Sequence, residues 1–247
     1  MTQPLGEQQS PGLGPPAARR LGGPTDTATS RQQRKAATYE RLLDAASQLF
    51  VTKGYDETTF DDIASLAQVA RQTAFNHFRR KEDFVTAWGA RRRGEIDRLL
   101  NSATFDGKST AARLVLTFRV LANSYERDAA EGRVFTVAWV RLGGPIFEAP
   151  TLAVQFAEII AAGQRSGELR ADIDAATAGR VLRAAYFDVL WEWASPRGDD
   201  GAATLFSGML ARLDVVVGGL YVSTHAGQLR EALRLAQAVE LLREAQA

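Results

Sequence analysis

Residues 54–78, GYDETTFDDIASLAQVARQTAFNHF, constrain this chain more than any other stretch. They divide into two short helices with room between them only for a tight turn. Phe60, Ile63, Ala64 and Ala67 recur at helical spacing, which predicts a first helix over about 59–67. Thr59 is placed to cap it, and Asp62, three residues on, makes a short version of a capping box. Gln68 and Val69 form the turn. The second helix, about 70–78, gives Ala74 and Phe78 to a core and leaves Arg71, Gln72, Thr73, Asn76 and His77 outside. Helix, short turn, helix is the geometry that lays a second helix in the major groove of DNA.

The charge is distributed to suit that reading. Residues 31–93 hold twelve Lys/Arg and eight Asp/Glu, a balance of +4, whereas the whole chain is +1 and the remainder therefore −3. A basic end suits a polyanion, and a solvated surface would also accommodate it. There is no cysteine, so disulfide and thiolate chemistry are excluded. The two histidines, His77 and His225, have no ligand-like spacing, so no metal site is expected. No apolar run approaches the ~20 residues of a membrane span. No basic start followed by an apolar stretch marks an export signal, and the cytoplasm is the expected location.

The rest of the chain predicts an all-α fold. Residues 1–30 are rich in Pro, Gly, Thr and Gln and read as a disordered tail. Arg31, Arg34 and Lys35 follow, either as a basic arm or as the solvated start of a helix. A helix over about 35–53 turns Leu42, Leu43, Ala46, Leu49 and Phe50 inward, and Gly54 ends it. Another starts near Lys81 with Phe84, Val85, Trp88, Ile96 and Leu99 on its apolar side. Gly89 and Gly94 lie inside it as a compliant connector. After a loop over 101–108, helices are expected over about 110–127, 132–142, 151–166, a twenty-residue stretch capped by Asp172 or Asp174, 204–221 and 228–244. The last turns Leu235, Val239 and Leu242 to one side. The domains are then a tail (1–30), a DNA-binding domain (31–96) and a helical ligand-binding and dimerisation domain (97–247).

Gly54-Tyr55, Thr58-Thr59, Asp62-Ile63-Ala64, Ala67-Gln68-Val69, Thr73, His77-Phe78 and Lys81-Glu82 resemble, in order and spacing, the DNA-binding domain of the TetR family. The resemblance covers about 36–96. It implies a homodimeric regulator of a palindromic operator, usually a repressor, released when a small molecule enters the C-terminal domain. Carried across, it puts Thr59, His77 and Lys81 on phosphates and Arg71, Gln72 and Thr73 on bases and backbone, with Phe75 and Asn76 on the same helix. The chemistry agrees: Arg pairs with guanine and Gln with adenine, while Thr, His, Lys and helix N-termini suit phosphate. Four positions depart from the pattern. Gln68 replaces the turn Gly, Ala70 the Ser cap, Phe75 a Tyr and Arg80 a Ser or Thr. These changes imply a less rigid reading head, with Arg79 and Arg80 restoring backbone affinity.

Other chemistries fit poorly. Residues 106–110, DGKST, resemble the end of a phosphate-binding loop, but Ser102 stands where its first Gly belongs and no strand precedes it. No catalytic constellation can be built, and no cofactor is expected. Phe118, Tyr125, Trp139, Tyr186, Phe187 and Trp191 are individually core residues and collectively the lining of an apolar cavity, with Arg119, Asn123 and Arg141 as polar anchors if they face inward. Helices 175–193 and 204–221 offer Ala178, Val181, Ala185, Val189, Leu205, Met209, Leu213, Val216 and Val217 as a four-helix dimer surface, or as monomer core. The competing function is a helical carrier or enzyme with a silent DNA head. An activator would share the same build.

Overall fold

The computed structural model describes residues 24–102, 105, 107–144, 151–195, 204–220, 231, 232, 234–236 and 238. Its helices are α1 (Pro24–Thr52), α2 (Phe60–Leu66), α3 (Arg71–His77), α4 (Lys81–Ser102), α5 (Thr110–Glu126), α6 (Ala129–Arg141), α7 (Thr151–Arg165), α8 (Ala175–Ala194) and α9 (Leu205–Gly218). Among the described residues every regular element is helical, as the sequence predicts. The chain divides into two units, Met1–Thr38 and Tyr39–Ala247. Of the first, residues 24–38 are described, and they are the opening turns of α1.

α1 therefore starts at Pro24, well before the expected Lys35, and residues 24–30 are helix rather than tail. Proline at the first helical position has its φ already set and no amide to leave unpaired. α6 also starts earlier than expected, at Ala129, because Asp128 caps it by accepting the Glu131 amide. Leu100, not Leu99, is the buried residue near the end of α4. Past α9, Ala232 and Ala236 pack on the core and Leu235 faces out, while Val239 and Leu242 lie outside the described residues. His225 lies outside them too.

The second unit holds two cores. One is built from α5, α7, α8 and α9, around Leu114, Phe118, Phe156, Ile160, Leu182 and Leu213. α8 approaches α7 closely at Gly179, where a Cβ would stand 2.3 Å from the Ala153 carbonyl oxygen. The other joins α1, α2, α3 and α4 around Leu42, Phe50, Ile63, Ala74, Phe78 and Phe84. Phe135 and Ala138 of α6 belong to this second core. Phe135 is fully buried, stacked on Trp88 with centroids 4.7 Å apart and tilted against Phe50 at 5.3 Å. The helix-turn-helix is thus packed onto the C-terminal bundle through an aromatic plug.

Candidate functional site

The turn between α2 and α3 is a Schellman motif. The Val69 amide donates to the Ala64 carbonyl at 2.9 Å, and the Gln68 amide to the Ser65 carbonyl at 3.0 Å. That pattern needs a left-handed residue at the position after the cap. Gln68 occupies it with φ of 53°, among the described residues the one non-glycine with positive φ. α2 begins on a complete capping box. Thr59 Oγ1 accepts the Asp62 amide at 3.1 Å, and Asp62 Oδ2 accepts the Thr59 amide at 2.9 Å. Lys53 Nζ donates to the same carboxylate at 2.5 Å. That bond, then the Thr59 amide and hydroxyl, hold the Asp62 carboxyl far below the ordinary range. Both the amide and the hydroxyl of Thr59 are engaged with Asp62, so a phosphate at Thr59 would have to compete with that carboxylate for the hydroxyl proton.

Arg71, Gln72, Thr73 and Asn76 are exposed on α3, as expected. Arg71 is held by Asp61 at 2.6 Å, and Gln72 Nε2 reaches Asn76 Oδ1 at 3.5 Å. Ala70 supplies no side-chain cap. Phe75 and His77 are half-buried. Phe75 stacks on Phe60 at 4.3 Å, with the Arg71 guanidinium 5.5 Å from its ring centre. The tyrosine hydroxyl missing at Phe75 is therefore accompanied by a ring-on-ring seat. Phe60 continues to Phe84 and Phe78, and Phe78 to Tyr39, with centroids 5.9, 4.0 and 4.8 Å apart. This aromatic column fixes α3 against α1, α2 and α4. Periodicity turns Phe60, Phe78 and Phe84 inward but does not say which ring each meets, so the column is not visible in sequence.

Two sequence-predicted phosphate contacts have other partners here. The Lys81 ammonium donates to the carbonyls of Tyr55, Asp56 and Thr58 at 2.7, 3.1 and 3.1 Å, and lies 4.5 Å from the Tyr55 ring centre. All three of its protons go to the loop before α2, so Lys81 braces that loop. Burial, then Glu82 and Asp56, push the Tyr55 phenol up to about 12. The amides of Arg79 and Arg80, ahead of α4, donate to Asp83 Oδ2 at 2.7 and 3.0 Å. A phosphate at that helix start would have to displace a carboxylate.

Residues 42–87 match the family model described as bacterial regulatory proteins, tetR family. The crystal structure of Thermus thermophilus FadR, a TetR family repressor in complex with lauroyl-CoA, is 30% identical, with a TM-score of 0.56 over 74% of this chain and 95% of that one. The chain belongs to the TetR family. It is a helix-turn-helix, DNA-binding transcriptional regulator. Two curated relatives agree. The transcriptional repressor KstR2 of Rhodococcus jostii is 28% identical over 80% of this chain and 96% of its own length. The repressor BepR of Brucella suis is 28% identical over 64% and 81%.

Behind the head of this TetR-family regulator lies a cavity of about 60 Å³. Trp88, Arg92, Arg93, Ile96 and Asp97 of α4 form one wall. Tyr125, Thr136, Trp139, Gln155, Tyr186 and Phe187 come from α5 to α8. Four of the sequence-predicted lining residues, Tyr125, Trp139, Tyr186 and Phe187, are brought together there. Phe118, Arg119 and Trp191 are not. Phe118 is buried in the bundle core and stacks on Phe156 at 5.2 Å. Arg119 lies 3.4 Å from the Phe206 ring centre, tying α5 to α9. Trp191 is exposed, in a surface groove outside Trp139 and Phe187. Of the other suggested anchors, Asn123 is exposed and Arg141 pairs outward with Asp56 at 3.1 Å.

A cation of the cavity lining that the sequence does not single out is Arg92. Its guanidinium is buried and paired with Glu131 at 3.1 Å, 4.6 Å from the Trp88 ring centre and 5.3 Å from that of Tyr125. Its neighbour Arg91 bridges Asp44 and Glu40 of α1, at 2.8 and 3.5 Å, to Glu131 at 3.7 Å. Glu131 is shared by both arginines, so α1, α4 and α6 meet in one ion-pair network.

Proposed function

We propose that this regulator is a repressor that binds a palindromic operator as a homodimer and is released when a small molecule occupies the cavity between α4 and α8. The observation that carries the reading is Phe135. α6 lines the cavity with Thr136 and Trp139, and one residue earlier it inserts Phe135 into the core of the DNA-binding head. A ligand that spreads the cavity walls must move the helices on which α3 is seated. About 60 Å³ is far below the ~300 Å³ at which ligand pockets ordinarily begin, so binding enlarges the cavity. Ligand and operator are then linked through their different affinities for the closed and open forms.

Thr59, Arg71, Gln72, Thr73, Asn76 and His77 are the residues proposed at the DNA, with Phe75 supporting Arg71 from beneath. For the dimer, much of the expected surface is spent inside the monomer: Ala178, Val189, Leu205, Met209, Leu213 and Val217 are buried. Support for pairing through α8 and α9 comes from apolar residues left outside, Val181 at 46% exposed and Val215 at 79%.

The test is selection from random duplex DNA at fixed salt, since affinity falls steeply with salt. An enriched palindrome is the expected result, and the absence of enrichment from a folded dimer would remove the reading. On the enriched site, Arg71→Ala is expected to weaken binding by ~1–3 kcal/mol and to relax preference at one base pair per half-site. Fluorescence anisotropy against single-base variants measures both. A uniform loss at every base pair would make Arg71 a phosphate contact.

A further inference from the structure

We propose that the cavity takes a small anionic ligand, a carboxylate on an aromatic or apolar body, whose carboxylate accepts the Thr136 hydroxyl and replaces Glu131 at Arg92. The inference rests on the reading of this cavity as the effector site, and it names the ligand's chemistry.

Thr136 is the first observation. Helical threonines ordinarily return their hydroxyl to the carbonyl four residues back. Thr38, Thr52, Thr86 and Thr117 do so here, with lengths of 2.9, 2.8, 3.3 and 2.9 Å. Thr136 is 2% exposed, lines the cavity, and its Oγ1 has no hydrogen-bond partner. A buried hydroxyl left unpaired is destabilising, and such groups concentrate where a ligand completes them.

Charge is the second. The lining holds two cations, Arg92 and Arg93, and one carboxylate, Asp97, a balance of +1. Asp97 already accepts the Gln155 amide at 3.4 Å. Arg92 is buried, its guanidinium close to two aromatic rings, and its carboxylate partner Glu131 lies outside the cavity lining. Glu131 meets Arg92 through one oxygen, at 3.1 Å, and an incoming carboxylate can offer the guanidinium two from the cavity side. The apolar remainder of the ligand meets Trp139, Tyr186 and Phe187.

Glu131 makes the exchange a signal. It also faces Arg91, which holds Asp44 and Glu40 of α1. A ligand that takes Arg92 leaves Glu131 to Arg91 alone and loosens the tie between α4 and α6. By linkage, whatever weakens the Glu131 tie must also tighten the ligand.

The test uses the full-length protein and matched pairs of acids and primary amides: phenylacetate, 3-phenylpropionate and octanoate. Tryptophan fluorescence reports binding, and anisotropy on the selected operator reports release. Each acid is expected to bind at least tenfold more tightly than its amide. Thr136→Val should raise the ligand-free melting temperature yet lose at least fivefold in acid affinity. Glu131→Gln, which removes the competitor and keeps Arg92, should gain several-fold. Amides equal to acids, no binding by any acid, or unchanged acid affinity in Thr136→Val each overturn the assignment. If amides bind and lift the operator, the cavity remains the effector site and the anionic class fails. If acids bind as expected and operator affinity does not change, the ligand assignment holds and the effector reading fails.

Discussion

Phe135→Ala is expected to lower global stability by ~3–5 kcal/mol, the range for removing a fully buried phenylalanine. The ring is not merely one of many in a core. It lies in the head's hydrophobic cluster although it belongs to α6, stacked on Trp88 at 4.7 Å and tilted against Phe50 at 5.3 Å. The same Trp88 indole carries the Arg92 guanidinium. Its loss leaves a cavity between head and bundle and removes one support of the Arg92–Glu131 pair. Guanidinium denaturation followed by tryptophan fluorescence and far-ultraviolet circular dichroism measures the drop. Phe135→Leu, which keeps most of the volume, should cost under ~1.5 kcal/mol. The two variants also separate stability from signalling. If Phe135 transmits the cavity's state to α3, ligand should shift operator affinity less in Phe135→Ala than in Phe135→Leu, at a temperature where both are folded. A cost below ~1 kcal/mol for alanine would mean that head and bundle do not share a core, since buried aromatic truncations do not come so low.

What was legible in the sequence was local. The cap at Thr59, the Asp62 reply, the turn at Gln68-Val69 and the exposed face of α3 each depend on residues within one or two turns of helix. Short-range hydrogen-bond chemistry decides them, and it repeats from chain to chain. Phe135 lies in a stretch expected to be helical, but periodicity cannot say that its partners are Trp88 and Phe50 rather than the bundle. Arg92 was invisible for a related reason. A buried arginine looks like a surface one until Glu131, Trp88 and Tyr125 are brought around it. Arg119 shows the converse: in sequence a cation on an apolar helix suits a pocket anchor, and it covers the Phe206 ring instead. The early start of α1 escaped because residues 24–34 carry no apolar stripe, so periodicity had nothing to register.

The second large effect concerns the turn, where this regulator departs from its family's pattern. Gln68 holds φ of 53° because the Schellman motif around it demands a left-handed residue. A side chain in that conformation costs ~1–2 kcal/mol, part of which glycine gives back through its larger entropy loss on folding, ~0.5–1 kcal/mol. Gln68 is exposed, so its replacement sacrifices no packing. Ala70, at φ −59° and ψ 138°, has the extended backbone of a cap residue but no oxygen to accept an amide of the first turn. Serine there should recover ~0.5–2 kcal/mol. Gln68→Gly with Ala70→Ser is therefore expected to stabilise by ~1–3 kcal/mol, a rise of about 3–10 °C in melting temperature for a chain of this size. Calorimetry measures the transition. Hydrogen exchange at α2 and α3 shows whether the gain is local to the head. A flat melting temperature with stronger protection of α3 would place the head's opening below the global transition, so that the turn limits DNA reading and not unfolding. A flat temperature with unchanged protection would leave the aromatic column of Tyr39, Phe78, Phe84, Phe60 and Phe75 as the element that fixes α3, and Gln68 and Ala70 as substitutions that column has made neutral.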